Sequence, residues 1–191
     1  MDDKTVSNLV VRVFLDASEE VLGQNGLKAV LNYGGISDLL TNRPDCSFTK
    51  DFTDRQLSAL TSSYISIIGT DGARSLLRLI GRTLGQKTIG MGIFDSFKDL
   101  SPDEKLYKVI ELNAMASGRG TLSRNGGIIV YDNPQCTTCA GVTYDHPICN
   151  LNTGFIESII RWCGITDRHV TETECMAMGG KTCRFEIQPI D

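Results

Sequence analysis

The chain has 191 residues, 41% of them hydrophobic and 22% charged, with a formal net charge of −4. That length fits one domain, able to bury roughly 70% of the surface its unfolded form exposes. The mild acidity argues against a general nucleic-acid binder, which needs a basic face, and no apolar run approaches the ~18 residues of a membrane span.

The opening MDDKTVSNLVVRVF carries acids where a secretory leader would be basic. The expected location is cytoplasmic, or peripheral to a membrane. In VSNLVVRVFLDASEEVL, Val6, Val10, Val13, Phe14, Ala17 and Val21 recur at helical spacing. Pro44 in NRPDCSF marks a loop. Leu57, Leu60, Tyr64 and Ile68 define a second helix, and GTDG punctuates before the amphipathic ARSLLRLIGRTLGQ. The glycine-rich GQKTIGMGIF reads as a further break. Ser101, Pro102 and Glu104 fit a capping box with proline at the first helical position.

The texture changes after Gly118. GGIIVYDN is a short β-branched run bounded by glycine and Asn-Pro, which predicts a strand. NLNTGFIESIIRWCG places Leu151, Phe155, Ile159 and Trp162 on one helical face, with Gly164 as the stop. RHVTETEC and TCRFEIQPI alternate as strands around a tight turn at MGGK. The expected architecture is α+β. A helical part over about 1–117 packs on a mostly antiparallel sheet with one helix over about 118–191, in a single domain of 1–191.

Six of the seven cysteines fall between positions 136 and 183, and clustered thiols in a reducing compartment more often bind metal or react than form disulfides. With Met178, Gly179 and Gly180 as a three-residue loop, Cys175 and Cys183 stand opposite each other, close enough to grip one ion. Cys149 immediately precedes a helix, whose N-terminal partial charge favours a thiolate. Cys136 and Cys139 form a CxxC knuckle. Cys46 and Cys163 lack a cysteine partner nearby in sequence and are expected to be inert.

HPICNLNTGFIESIIRWCG followed by VTETECMAMGGKTCRFEI resembles the C-terminal signature of the 4-vinyl-reductase domain family, over roughly residues 127–188. That family includes stand-alone hydrocarbon-binding proteins, a bacteriochlorophyll-biosynthesis protein and sensor domains of aromatic-responsive transcription activators. It is related to the ligand-binding fold of TRAPP tethering subunits and NO-signalling domains. The resemblance implies a dimeric fold with an internal apolar pocket and a zinc site of three cysteines and one glutamate. On this chain the matching positions are Cys149, Glu172, Cys175 and Cys183.

Glu172 and Cys175 are three apart, so a regular strand turns them to opposite faces. A β-bulge before the hairpin reconciles them; otherwise Glu174 or His146 competes for the fourth position. Cys136, Cys139 and His146 stand as additional metal or redox candidates, with an iron–sulfur cluster as the alternative cofactor to zinc.

No catalytic constellation is read from the residues. His169 sits in a strand pattern with a structural role, and no phosphate-binding glycine motif is present. For a ligand pocket the candidates are Met91 and Phe94 with Phe155, Ile159 and Trp162. Arg74, Arg78 and Arg82 make a cationic stripe that suits a solvated face, an acidic partner or an anionic ligand group.

The leading expectation is therefore a non-enzymatic, zinc-containing domain binding a hydrophobic small molecule (lipid, aromatic or tetrapyrrole). It would act as sensor, carrier or photosynthesis-related assembly factor through a homodimer or a protein partner. The alternatives are an enzyme or accessory in tetrapyrrole vinyl reduction with redox-active cysteines, and an interaction scaffold resembling TRAPP subunits.

Overall fold

Two long helices carry the N-terminal half of the computed structural model, which describes residues 4–117 and 120–190. The sequence boundary placed at 117/118 touches residues 118 and 119, which lie outside the described set. Strand β1 (Lys4–Ser7) leads into helix α1 (Asn8–Tyr33), and strand β2 (Lys50–Thr53) into helix α2 (Asp54–Gly90). The two strands pair antiparallel, a ribbon that the sequence pattern did not disclose. Thr53 caps α2 by accepting from the Gln56 amide, while the Gln56 side chain accepts from the Thr53 amide. Phe14, Leu27, Leu31, Leu60, Tyr64 and Ile80 form a core between these helices.

Helix α2 contains one interruption, at Gly69, where φ is +73°. Only glycine adopts that region without steric cost, which accounts for the break expected at GTDG. The break expected at GQKTIGMGIF does not occur at its start, because α2 runs on to Gly90. Gly85, and Gly81 one turn earlier, serve a crossing instead. A Cβ at Gly85 would strike the Ser158 side chain, one at Gly81 the Leu151 carbonyl, and one at Gly154 the Arg78 carbonyl. Helix α2 therefore touches helix α4 (Asn150–Trp162) backbone to backbone.

Helix α3 (Pro102–Ser117) starts where the sequence placed it, with the Ser101 hydroxyl donating to Glu104 at 2.8 Å. Strands β3 (Thr121–Asn125), β4 (Ile128–Asn133), β5 (Arg168–Glu174) and β6 (Cys183–Pro189) form an antiparallel sheet in the order β3-β4-β6-β5. The α+β architecture thus matches the sequence reading. Ile110 of α3, Ile156 and Ile159 of α4, and Ile129, Phe185 and Ile187 of the sheet share a second core.

The cationic stripe finds its partner inside the chain. Arg78 donates twice to Oε1 of Glu157 on α4, once from Nε at 2.8 Å. Arg82 donates to Oε2 at 2.6 Å. Burial raises the Glu157 pKa, but these two guanidiniums hold it below the usual carboxylate value. Arg74 remains exposed.

Because Gly154 meets backbone rather than a flexible side chain, Gly154→Ala should destabilise the protein by about 1–3 kcal/mol, as overpacking does. A fall in the urea midpoint with an unchanged m-value is the expected readout.

Candidate functional site

Three separate segments deliver sulfur to one point. The short 3₁₀ turn Thr137–Cys139 follows β4 and carries Cys139, with Cys136 just before it. Cys149 is the N-cap of α4, and the α2–α4 crossing fixes where that helix begins. Cys175 follows β5 and Cys183 opens β6. All five thiols are buried, at 7% exposure or less.

Cys139 stands at the centre. Its Sγ lies 3.5 Å from that of Cys149, 3.7 Å from Cys175 and 3.5 Å from Cys183. Cys136 is 3.5 Å from Cys149, and Cys149 is 3.6 Å from Cys183. Two overlapping groups bring four ligand atoms within 4.8 Å of one another: Cys136, Cys139, Cys149 and Cys183, and Cys149, Glu172, Cys175 and Cys183.

Glu172 reaches the cluster through a register shift. It pairs with Phe185, whereas Glu174 pairs with Arg184, so β5 accommodates one extra residue between them. The bulge restores Glu172 to the face of Cys175, answering the objection raised by their spacing. Its Oε2 accepts from the Cys149 amide at 3.2 Å, while Oε1 is buried without a hydrogen-bond partner among the described residues. Burial first, and the neighbouring Cys175 second, push the Glu172 carboxyl up to about 9.

The thiols cannot ionise independently at these separations. Cys136 and Cys175 are held below the ordinary thiol range, each chiefly by hydrogen bonding from Cys139. Cys139, Cys149 and Cys183 are pushed up, each chiefly by its interaction with Cys136.

The expected three-residue loop is replaced by a longer connection. After Cys175 the chain makes the 3₁₀ turn Met176–Met178 and enters the left-handed region at Gly179. The Met178 and Gly180 amides both donate to the Cys175 carbonyl at 3.1 Å. The Met176 amide donates to the Cys183 sulfur at 3.4 Å. Glu174, an alternative fourth ligand, is used in this turn instead, accepting from the Lys181 amide at 2.7 Å.

His146, the other alternative, belongs to neither ligand group. Its Nδ1 lies 2.6 Å from Asp145 and its ring packs beside Tyr144. His169 contacts only Gln188, at 3.3 Å, on an exposed part of β5. Cys46 is exposed, and Cys163 is buried away from the cluster, with burial pushing its thiol up to about 12.

The pocket candidates separate. Phe94, Phe155 and Ile159 are core residues, while Met91 is about half exposed. Trp162 packs on Phe94 with ring centres 6.0 Å apart and lines an open cleft of about 300 Å³ between α2 and α4. The other lining residues are Arg82, Gln86, Ile89, Ser158 and Arg161. Sequence reasoning missed this cleft because its α2 half lies in a segment read as a glycine break. It also kept Cys136 and Cys139 apart from the glutamate set. The CxxC spacing was the available signal, since it suits one tight turn with both sulfurs on the same side.

Residues 129–189 match the 4-vinyl-reductase domain. That stretch holds all six clustered donors. An uncharacterized protein of Methanocaldococcus jannaschii, MJ1642, is 27% identical over 99 residues, covering 51% of this chain and 56% of the relative. The match therefore spans little more than half the length of that relative.

Among solved structures, a Tt H-NOX variant superposes with a TM-score of 0.65 at 13% identity, covering 97% of this chain and 96% of its own. An H-NOX protein from S. oneidensis in the Fe(II)NO ligation state gives 0.59 at 9% identity, covering 94% and 99%. The phenol-responsive sensory domain of the transcription activator PoxR, with phenol, gives 0.55 at 17% identity, covering 72% and 75%. These likenesses establish a shared fold, that of H-NOX domains over nearly the whole chain.

The geometry divides the seven cysteines sharply. With reduced, metal-free native protein, a colorimetric thiol reagent should label Cys46 rapidly and the other six slowly, and all seven at once in denaturant.

Proposed function

We propose that the chain is a metal-stapled domain that binds an apolar small molecule and reports its presence to a partner or a second copy. Residues 4–190 would act as one unit, with zinc as the ion and Cys149, Glu172, Cys175 and Cys183 as its ligands. The observation that carries the metal reading is the sulfur spacing. Four donors at ~2.3 Å from one tetrahedral ion stand ~3.8 Å apart, and the measured separations are 3.5–3.7 Å. An iron–sulfur cluster interposes its own sulfides and spreads the cysteine sulfurs farther, so this spacing favours single ions.

A thiolate site closed by four protein ligands is structural. Here it would tie the β4–α4 connection, the start of α4 and the β5–β6 hairpin into one rigid wall. Ligand binding is supported by the 4-vinyl-reductase domain match and by the fold shared with a phenol-responsive sensor and with H-NOX domains studied for heme distortion. The cleft supplies a chemical direction. Trp162 and Ile89 offer an apolar surface, and Arg161, exposed at the rim, offers a cation. An aromatic or aliphatic body bearing an acidic group suits that combination. No helix among the described residues is long and apolar enough to cross a membrane.

Two outcomes are expected. Replacing Cys175 and Cys183 by serine, or stripping the ion with a chelator, should lower thermal stability markedly, and an unchanged melting curve in both treatments would refute the structural ion. Trp162 is the one tryptophan in the sequence, so its fluorescence reads cleft occupancy directly. Titration with benzoate, a fatty acid and a porphyrin dicarboxylate should shift its emission for at least one, and Arg161→Ala should weaken that binding about tenfold, the loss of about 1.4 kcal/mol.

A further inference from the structure

Six donors converge at the thiol cluster, whereas a four-coordinate ion uses four. With one ion held by Cys149, Glu172, Cys175 and Cys183, the thiols of Cys136 and Cys139 would stay buried against metal-bound sulfur with no ion of their own. Yet Cys136 and Cys139 complete a second four-donor group with Cys149 and Cys183. The two groups share those two cysteines and nothing else. A thiolate sulfur has lone pairs enough to bind two ions at once.

We propose that the centre holds two divalent, thiolate-preferring ions bridged by Cys149 and Cys183. Cys136 and Cys139 are the terminal ligands of one ion, and Glu172 and Cys175 those of the other. The donor count closes, because two terminal and two shared donors surround each ion and none is left over.

The distances suit the assignment. The bridging sulfurs stand 3.6 Å apart, Cys139 lies 3.5 Å from both, and Cys136 lies 3.5 Å from Cys149. Glu172 provides an independent observation. Its Oε2 is occupied by the Cys149 amide, and its buried Oε1 has no protein partner among the described residues, which leaves one carboxylate oxygen for a cation. Charge also balances better. Fully deprotonated, five thiols and a carboxyl carry six negative charges, of which two divalent ions offset four, and the positive end of α4 faces the remainder at Cys149. Thiolate-rich sites of this kind select zinc or similarly soft ions.

The inference rests on the metal reading above, and one measurement separates their fates. The full chain is reduced, incubated with excess zinc, desalted, and assayed for zinc per chain by elemental analysis and native mass spectrometry. Two ions are expected, falling to one in Cys136→Ser. One ion in the unmodified protein overturns the bridged pair but leaves the single site standing. The four-thiol group Cys139, Cys149, Cys175 and Cys183, in which Cys139 lies 3.7 Å from Cys175, would produce that result. No ion overturns both readings. Should Cys136→Ser fail to fold, cadmium NMR of the unmodified protein decides: two resonances coupled to shared cysteine protons are expected, and a single resonance overturns the proposal.

Discussion

Everything in the C-terminal half is arranged around the burial of sulfur. Five thiols and a carboxyl sit within a few ångströms of one another and out of water. Without a counter-charge, that is a poor place to put ionisable groups. Their protons must be shared, so that two thiols are held low while three are pushed high. Such an arrangement is costly as a plain core and natural as a ligand cage. Each supporting detail then acquires a reason: the bulge in β5, the 3₁₀ turn beneath Cys139, the left-handed Gly179, and the amide of Met176 pointing at the Cys183 sulfur.

The cage is positioned by the helical half. Helix α2 contributes to both hydrophobic cores, with Ile65 and Leu84 packed against each. Its glycines let it lie against α4 at backbone distance, and Arg78 and Arg82 lock that contact through Glu157. The start of α4, and with it Cys149, is set by a crossing that begins in the N-terminal half.

Much of this was legible in the residues. Local signals carried the helix starts and stops, such as Ser101-Pro102 and Gly164, and the strands flanking the hairpin. The convergence of Cys149, Glu172, Cys175 and Cys183 followed from the motif once a bulge was allowed, and the register supplies that bulge between Glu172 and Glu174. What escaped was whatever depended on distant chain. The ribbon β1–β2 is too short to show a period, and its pairing joins segments separated by more than forty residues. Gly85 looked like the start of a helix break because the sequence does not reveal that Ser158 presses against it. The arginine stripe looked outward for the same reason. Phe94, Phe155 and Ile159 looked like pocket wall, since an apolar side chain facing a cavity and one facing its neighbour have the same sequence pattern.

Helix α4 has thirteen residues, so its two ends are about 20 Å apart. Cys149 occupies one end and Trp162 the other. A rigid rod with an ion at its root and a guest at its tip imposes thermodynamic reciprocity: whatever factor the guest applies to ion affinity by tilting the rod, the ion must return to the guest. A chain built this way turns metal supply into a setting of ligand sensitivity, with no further part required.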